Sequence, residues 1–240
     1  MPSLTDRQAF EDLRLRLRLD PAETSLSDEG CLTPMHEAMQ WLNEERAHNH
    51  VRLQRIPLGR LAEWRLDEQG FLSHREGRFF RFLGLQVTSP NREVTSWHQP
   101  IMDNVEPGII GLLLRSWRGR THMLMQVHVD VGNRSTALLG PTVQFAPGNY
   151  RNGHRSQRPF LFEEFLSGVG FRKLFESRQS EEGGRFYQED NLHRVLWLPE
   201  DRELEPPPSY RWLTFAQVRF FVQLGECVNP CARSILACLA

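Results

Sequence analysis

The chain has 240 residues, 40% of them hydrophobic and 25% charged, with a formal net charge of −1, a make-up that suits one ordinary domain with a sizeable core. That charge offers no footprint for nucleic acid or an anionic membrane, and no apolar run approaches the roughly 20 residues that span a bilayer. Cys31, Cys227, Cys231 and Cys238 form no CxxC pair and suit a reducing compartment, and Lys173 is the only lysine, which leaves Schiff-base chemistry a single candidate.

In chain order, the opening MPSLTDRQAFEDLRLRLRL alternates charge with leucine and lacks the apolar core of a secretion signal, so a cytoplasmic location is expected. Asp6 to Leu19 fits an amphipathic helix or a strand, and residues 1–32 read as an N-terminal segment ahead of a single module, 33–240. Thr33 as N-cap and Pro34 at the first helical position predict a helix to about Ala47, with Met35, Ala38, Met39 and Leu42 on its apolar face. His48-Asn49-His50 spells a nuclease signature without nuclease context.

Beyond Val51 the periodicity becomes strand-like. Phe71–His74 and Arg78–Val87 predict a hairpin whose second arm resembles a central strand. Gly108–Trp117 and His122–Val131 predict another, with Met123, Met125, Val127, Val129 and Val131 on a core face. His122, Gln126, His128 and Asp130 share the other face with Leu124, and such a face meets water or lines a pocket. Ser135 to Phe145 reads as one strand, Phe160 to Leu166 as a short helix. After Pro206–Pro208, Thr214 with Gln217 forms a capping box, and Asn229-Pro230 opens a final helix. Many strands edged by helices argue an α+β domain.

The densest polar stretch is SRQSEEGGRFYQEDN, Ser177 to Asn191. Gly183-Gly184 predicts a tight connection in which Glu181 and Glu182 end one strand while Arg185, Phe186 and Tyr187 open the next. Strand alternation sends Glu181 and Glu182 to opposite faces, so they are no dyad and only one can look into a pocket. Gly168 and Gly170 begin a dinucleotide-like pattern that fails at Lys173, and no metal-binding spacing is evident.

Trp97-His98-Gln99-Pro100, Gly108 before an apolar strand, Gln126, Pro141-Thr142-Val143-Gln144, Asn149-Tyr150, His154 and Ser180 to Phe186 occur in an order that resembles the nucleotide-diphosphate-hexose 2,3-dehydratase family over roughly residues 35 to 236. The resemblance implies a Nudix-like mixed β-sheet with flanking helices. It also implies a lyase of deoxysugar biosynthesis that acts on a dTDP-4-keto-6-deoxyhexose, removing the C2 hydroxyl and the C3 hydrogen to give a 3,4-diketo-2,6-dideoxy sugar for a separate 3-ketoreductase. No cofactor is implied, and the Nudix metal box is missing. Two features depart from the family: His128 and Asp130-Val131-Gly132 replace a lysine followed by Glu-Pro-Gly, and one module stands where members usually carry two. The second departure predicts a homodimer, with Phe215, Val218, Phe221, Val222, Ile235 and Leu236 as candidate contacts.

The reaction needs a base for the C3 proton, an acid for the leaving hydroxyl and donors for the enolate. Glu181 is the candidate base, and Tyr150 or His154 the acid or enolate donor. Arg185 suits a diphosphate and Trp97 a stacked nucleobase. Gln99, Gln126, Thr142, Gln144, Asn149 and Phe186 complete the candidate substrate-binding set. The competing reading is a module that binds a nucleotide sugar without turning it over; a Nudix-fold hydrolase is a weaker alternative.

Overall fold

The computed structural model describes residues 3–104, 106–150 and 158–239. Its elements are α1 (Leu4–Leu19), α2 (Pro21–Thr24), α3 (Met35–His48), β1 (Trp64–Leu66), β2 (Leu72–His74), β3 (Phe80–Thr88), β4 (Ser96–Asn104), β5 (Ile109–Trp117) and β6 (Arg120–Val129). There follow β7 (Ala137–Gly140), β8 (Val143–Phe145), α4 (Phe162–Ser167), β9 (Arg172–Ser180), β10 (Asp190–Trp197), β11 (Tyr210–Thr214), α5 (Phe215–Leu224) and α6 (Pro230–Ala237). They build a four-stranded sheet, β1-β2-β3-β4, and a seven-stranded mixed sheet with the path β11-β6-β5-β10-β9. This is the α+β arrangement expected from the sequence.

The β5–β6 hairpin frames the larger sheet, because Arg118 and Gly119 take φ of 48° and 77°, the positive pair that matches strand twist in a two-residue turn. The two strands pair directly only from Leu114↔Met123 to Trp117↔Arg120 and then diverge. β7 pairs with the Gln126–Val129 half of β6, and β8 with the Ile109–Gly111 half of β5. The single strand expected over Ser135–Phe145 is therefore two, broken at Pro141, which has no N–H for a ladder. Thr142 closes the gap: its fully buried hydroxyl accepts from the Leu113 N–H at 2.8 Å and donates to the Leu124 carbonyl at 2.6 Å.

Both faces of this sheet are covered. Ile110, Leu112, Leu114, Met123, Met125, Val127 and Val195 pack under α1, α3, α5 and α6. Ile109, Leu113, Leu124, Val143 and Phe145 pack with Phe162 and Phe165 of α4. The polar face expected for β6 is thus largely interior at its start, where His122 is 0% exposed. The cause is the N-terminal segment. α1 is a helix, with Phe10, Leu13 and Leu17 in the core and the intervening Leu15 outside. In α2 the buried Glu23 carboxylate accepts from Thr121 N–H at 2.9 Å and from its hydroxyl at 2.7 Å, while Arg120 donates to the carbonyls of Ser25, Ser27 and Glu29.

His122 accepts at Nε2 from the Leu32 N–H at 3.1 Å, and burial, aided by nearby Arg120 and Arg115, lowers its pKa to about 4. The unfolded chain protonates near the usual value of about 6.5, so this stability is fully present above that pH and is lost as pH falls toward about 4, at roughly 1.4 kcal/mol per unit. Chemical denaturation at pH 7 and pH 5 should show a drop of about 2 kcal/mol that shrinks in His122→Gln; an equal drop in both proteins would show that His122 is not its source.

Local expectations at α3 and β3 are corrected. Thr33 does not cap α3: Pro34 occupies the cap with no side-chain bond, and Asp28 Oδ1 takes the Met35 N–H at 2.7 Å. Thr33 is instead buried, its carbonyl accepting from Gln217, and the inward face of α3 carries Ala38, Trp41 and Leu42 while Met39 is exposed. β3 lies between β2 and β4 yet is only partly buried, because its small sheet is thinly covered.

The loop after β9 also differs from expectation. The strands end at Ser180 and Asp190, and neither Gly183 nor Gly184 takes a positive φ. Arg185 and Phe186 N–H groups close on the Glu182 carbonyl, and residues 185–187 run along β4 through Met102 rather than opening β10.

Candidate functional site

The β9–β10 ladder continues one pair past Ser180↔Asp190, with the Glu181 N–H donating to the Glu189 carbonyl at 3.0 Å. Directly opposed residues share a face, so Glu181 and Glu189 stand side by side while Glu182 is exposed and pairs with Arg185 at 3.3 Å. Asn191 donates from Nδ2 to Glu181 Oε1 at 2.6 Å and, more weakly, to Glu189 Oε1 at 3.4 Å. Its Oδ1 accepts from the Gly108 N–H at 2.6 Å, which fixes the amide's orientation. Position 108 has to lack a side chain, because a Cβ there would lie 2.5 Å from that oxygen.

A second polar group surrounds the start of α6. Asn229 caps the helix through Oδ1 to the Ala232 N–H at 2.9 Å. Its Nδ2 donates to Gln144 Oε1 at 2.6 Å and to Asp130 Oδ2 at 3.3 Å. Asp130 meets His128 at 3.4 Å, and that contact lowers the Asp130 pKa. Cys231, in the first turn of α6, has its thiol pushed up to about 12 by burial, reinforced by Glu181, Asp130 and Glu189. His193 lies with Nδ1 3.1 Å from the Asn191 carbonyl and Nε2 2.8 Å from Ser234 Oγ, and burial lowers its pKa. Burial likewise raises the pKa of Glu189, against the Asn104 and Asn191 amides beside it. Asn104 also lines a recess of about 450 Å³ with Phe79, Phe80, Gly148 and Asn149. Among the described residues, no group of three or more His, Cys, Asp or Glu is placed to hold a metal ion.

A model of the family described as NDP-hexose 2,3-dehydratase matches residues 35–239. The chain belongs to this family. A relative from Streptomyces violaceoruber, named dTDP-4-dehydro-6-deoxy-alpha-D-glucopyranose 2,3-dehydratase, is 34% identical over 224 residues, 92% of this chain and 50% of its own length. A relative of the same name from Amycolatopsis orientalis is 36% identical over 203 residues, 85% of this chain and 42% of its own. The chain thus spans about half the length of the curated relatives it matches. Among solved structures, an ADP compounds hydrolase aligns with a TM-score of 0.34 at 17% identity, covering 66% of this chain and 83% of its own. The C-terminal domain of mouse MUTYH, solved with human PCNA, aligns at 0.33 and 15%, covering 54% and 83%.

Of the residues that carried the resemblance to the dehydratase family, Glu181, Gln144 and Gly108 converge on the two polar groups. Trp97 and Gln99 lie on β4, where the Trp97 indole donates to Gln99 Oε1 at 2.7 Å and Gln99 Nε2 donates to the Gly184 carbonyl at 3.2 Å. This ties the dehydratase-like WHQP stretch to the Glu-Glu-Gly-Gly loop, with Phe186 bridging Met102 and Arg185 exposed. Gln126 accepts from the Tyr210 hydroxyl at 3.2 Å. Thr142 is committed to the sheet, and Tyr150 packs on Phe145 and Phe162 over the α4 face, where burial raises its pKa. His154 lies outside the described residues. Glu189, Asn191 and Asn229 were missed as site residues; Asn229 was read only as a cap, and Glu189 needs the register beyond Ser180↔Asp190 to be seen.

Proposed function

We propose that this chain is a dTDP-4-keto-6-deoxyhexose 2,3-dehydratase, a hydro-lyase of deoxysugar biosynthesis acting in the cytoplasm. The observation that carries the reading is the half-buried Glu181 carboxylate, oriented by Asn191 at the strand end within a chain of the NDP-hexose 2,3-dehydratase family. The C3 hydrogen lies beside the C4 ketone, so Glu181 takes it as a proton and the electron pair enters an enolate. Loss of the C2 hydroxyl follows, and the resulting enol becomes the 3,4-diketo sugar. Proton transfer of this kind contributes typically about 10²–10⁴-fold.

The elimination is redox-neutral overall, C3 being oxidised as C2 is reduced, so the reaction calls on no redox cofactor. Trp97, Gln99 and Arg185, beside the Glu-Glu-Gly-Gly loop, would receive the nucleoside diphosphate. The turn at Pro147–Tyr150 carries Asn149 to the recess beside Asn104, with Tyr150 as a candidate enolate donor. The unstable diketone calls for a 3-ketoreductase as the next enzyme.

The deciding assay incubates the purified chain with dTDP-4-keto-6-deoxyglucose, EDTA and a trapping ketoreductase. A 2,6-dideoxy product, with dehydration itself unaffected by EDTA and independent of added nicotinamide, is expected. Tight nucleotide-sugar binding without product would instead favour the non-catalytic module that the half-length match allows, and metal-dependent turnover would defeat the mechanism.

A homodimer is part of this reading, a twofold between identical chains being the commonest oligomer symmetry. Its contact differs from the one expected from sequence, since Phe215, Val218, Phe221, Ile235 and Leu236 are buried in their own domain and Val222 and Leu224 remain exposed on α5. Sedimentation at micromolar concentration should give about twice the 28.0 kDa chain mass, and an active monomer would remove the dimer from the proposal.

A further inference from the structure

Resting on the elimination just described, we infer that Glu189 is its general acid, held opposite Glu181 on one sheet face and joined to it through the Asn191 amide. Two carboxylates directly opposed across a ladder repel, and the pair is relieved when one keeps its proton. The surroundings decide which. Asn191 gives its short bond, 2.6 Å, to Glu181 and only a 3.4 Å contact to Glu189, so the amide serves Glu181 first. Glu189 Oε2 is buried with no hydrogen bond of normal geometry among the described residues, although the Asn104 amide is near. A neutral carboxyl tolerates such a place far better than an anion. Gly108 completes the arrangement, since its N–H turns the Asn191 amide so that the NH₂ end faces both acids.

The roles then follow from the protonation states. Glu181 removes the C3 proton, and the C–H electron pair flows to the C4 carbonyl oxygen. As that carbonyl re-forms, the C2–C3 double bond forms and the C2–O bond breaks, the departing oxygen taking the Glu189 proton to leave as water. Glu181 is now the acid and Glu189 the carboxylate. When the enol ketonises, its C3 hydroxyl proton passes to Glu189 and C2 receives the proton from Glu181, so both groups return to their starting states.

The test separates the two proton transfers by following C3–H exchange in D₂O alongside dehydration, with dTDP affinity measured by calorimetry. Glu189→Gln should lose dehydration by about 10²–10⁴-fold while C3 exchange and dTDP binding persist, and Glu189→Asp should recover part of the loss. Glu181→Gln should lose exchange and dehydration together. The inference is overturned if Glu189→Gln dehydrates within about fivefold of wild type, well short of a typical acid's contribution. Parallel loss of exchange and dehydration, or loss of dTDP binding, overturns it too, by assigning Glu189 to Glu181 positioning or to the fold. Wild-type protein that shows neither exchange nor product removes the elimination reading itself, a result distinct from every variant outcome.

Discussion

Turnover of Glu181→Gln falls by about 10²–10⁴-fold, the contribution of a positioned general base, while dTDP binding holds. The amide keeps the shape of the carboxyl, so Asn191 retains a neighbour to donate to, but it cannot accept the C3 proton. Glu182→Gln stays close to wild type, because that side chain is exposed and meets Arg185 at the loop surface. Exposed pairs of this kind contribute at most about 1 kcal/mol. Steady-state assays of both variants, with calorimetric dTDP titrations, check this directly. If Glu182→Gln proves the inactive one, the base has been placed on the wrong face of the strand.

Thr142→Val destabilises the fold by roughly 2–6 kcal/mol and lowers Tm by about 5–20 °C. The substitution preserves shape but removes the one group that serves both the Leu113 N–H and the Leu124 carbonyl, at 2.8 and 2.6 Å. Each is then buried without its bond, at about 1–3 kcal/mol apiece. Thr142→Ser, which keeps the hydroxyl, recovers most of the loss. Calorimetric unfolding of the three proteins measures it. A KM effect at unchanged stability would move Thr142 back among the substrate-binding residues, where its place in the Pro-Thr-Val-Gln motif had put it.

That motif illustrates what could be read in advance. Local rules worked where the physics is local. The capping box at Thr214 and Gln217 and the Asn229-Pro230 helix start both formed. So did the β5–β6 hairpin, and strand alternation correctly separated Glu181 from Glu182. What could not be read depends on how distant segments meet. The short apolar motif around Thr142 does not reveal that two strands diverge there. Met39 and Trp41 of α3 are both apolar, and only the tertiary contact, with the Trp41 indole donating to the Pro208 carbonyl at 3.1 Å, selects the inward one. The Gly-Gly pair suggested a tight turn, but Met102 of β4 captures residues 185–187 and widens the loop, which sets Glu189 rather than Arg185 opposite Glu181. The carboxyl pairing was hidden by that loop width.

The family match starts at residue 35, yet Leu17 and Glu23, both upstream, are 0% exposed. The matched region and the packed body are consequently different lengths of chain. The β6 edge that receives Glu23 and the Ser25–Glu29 carbonyls is built of Thr121 and Arg120, residues inside the matched region whose polar groups are satisfied from outside it. The carboxyl pair at the far end of the sheet is different, since Glu181, Glu189, Asn191 and Gly108 all lie inside the matched region.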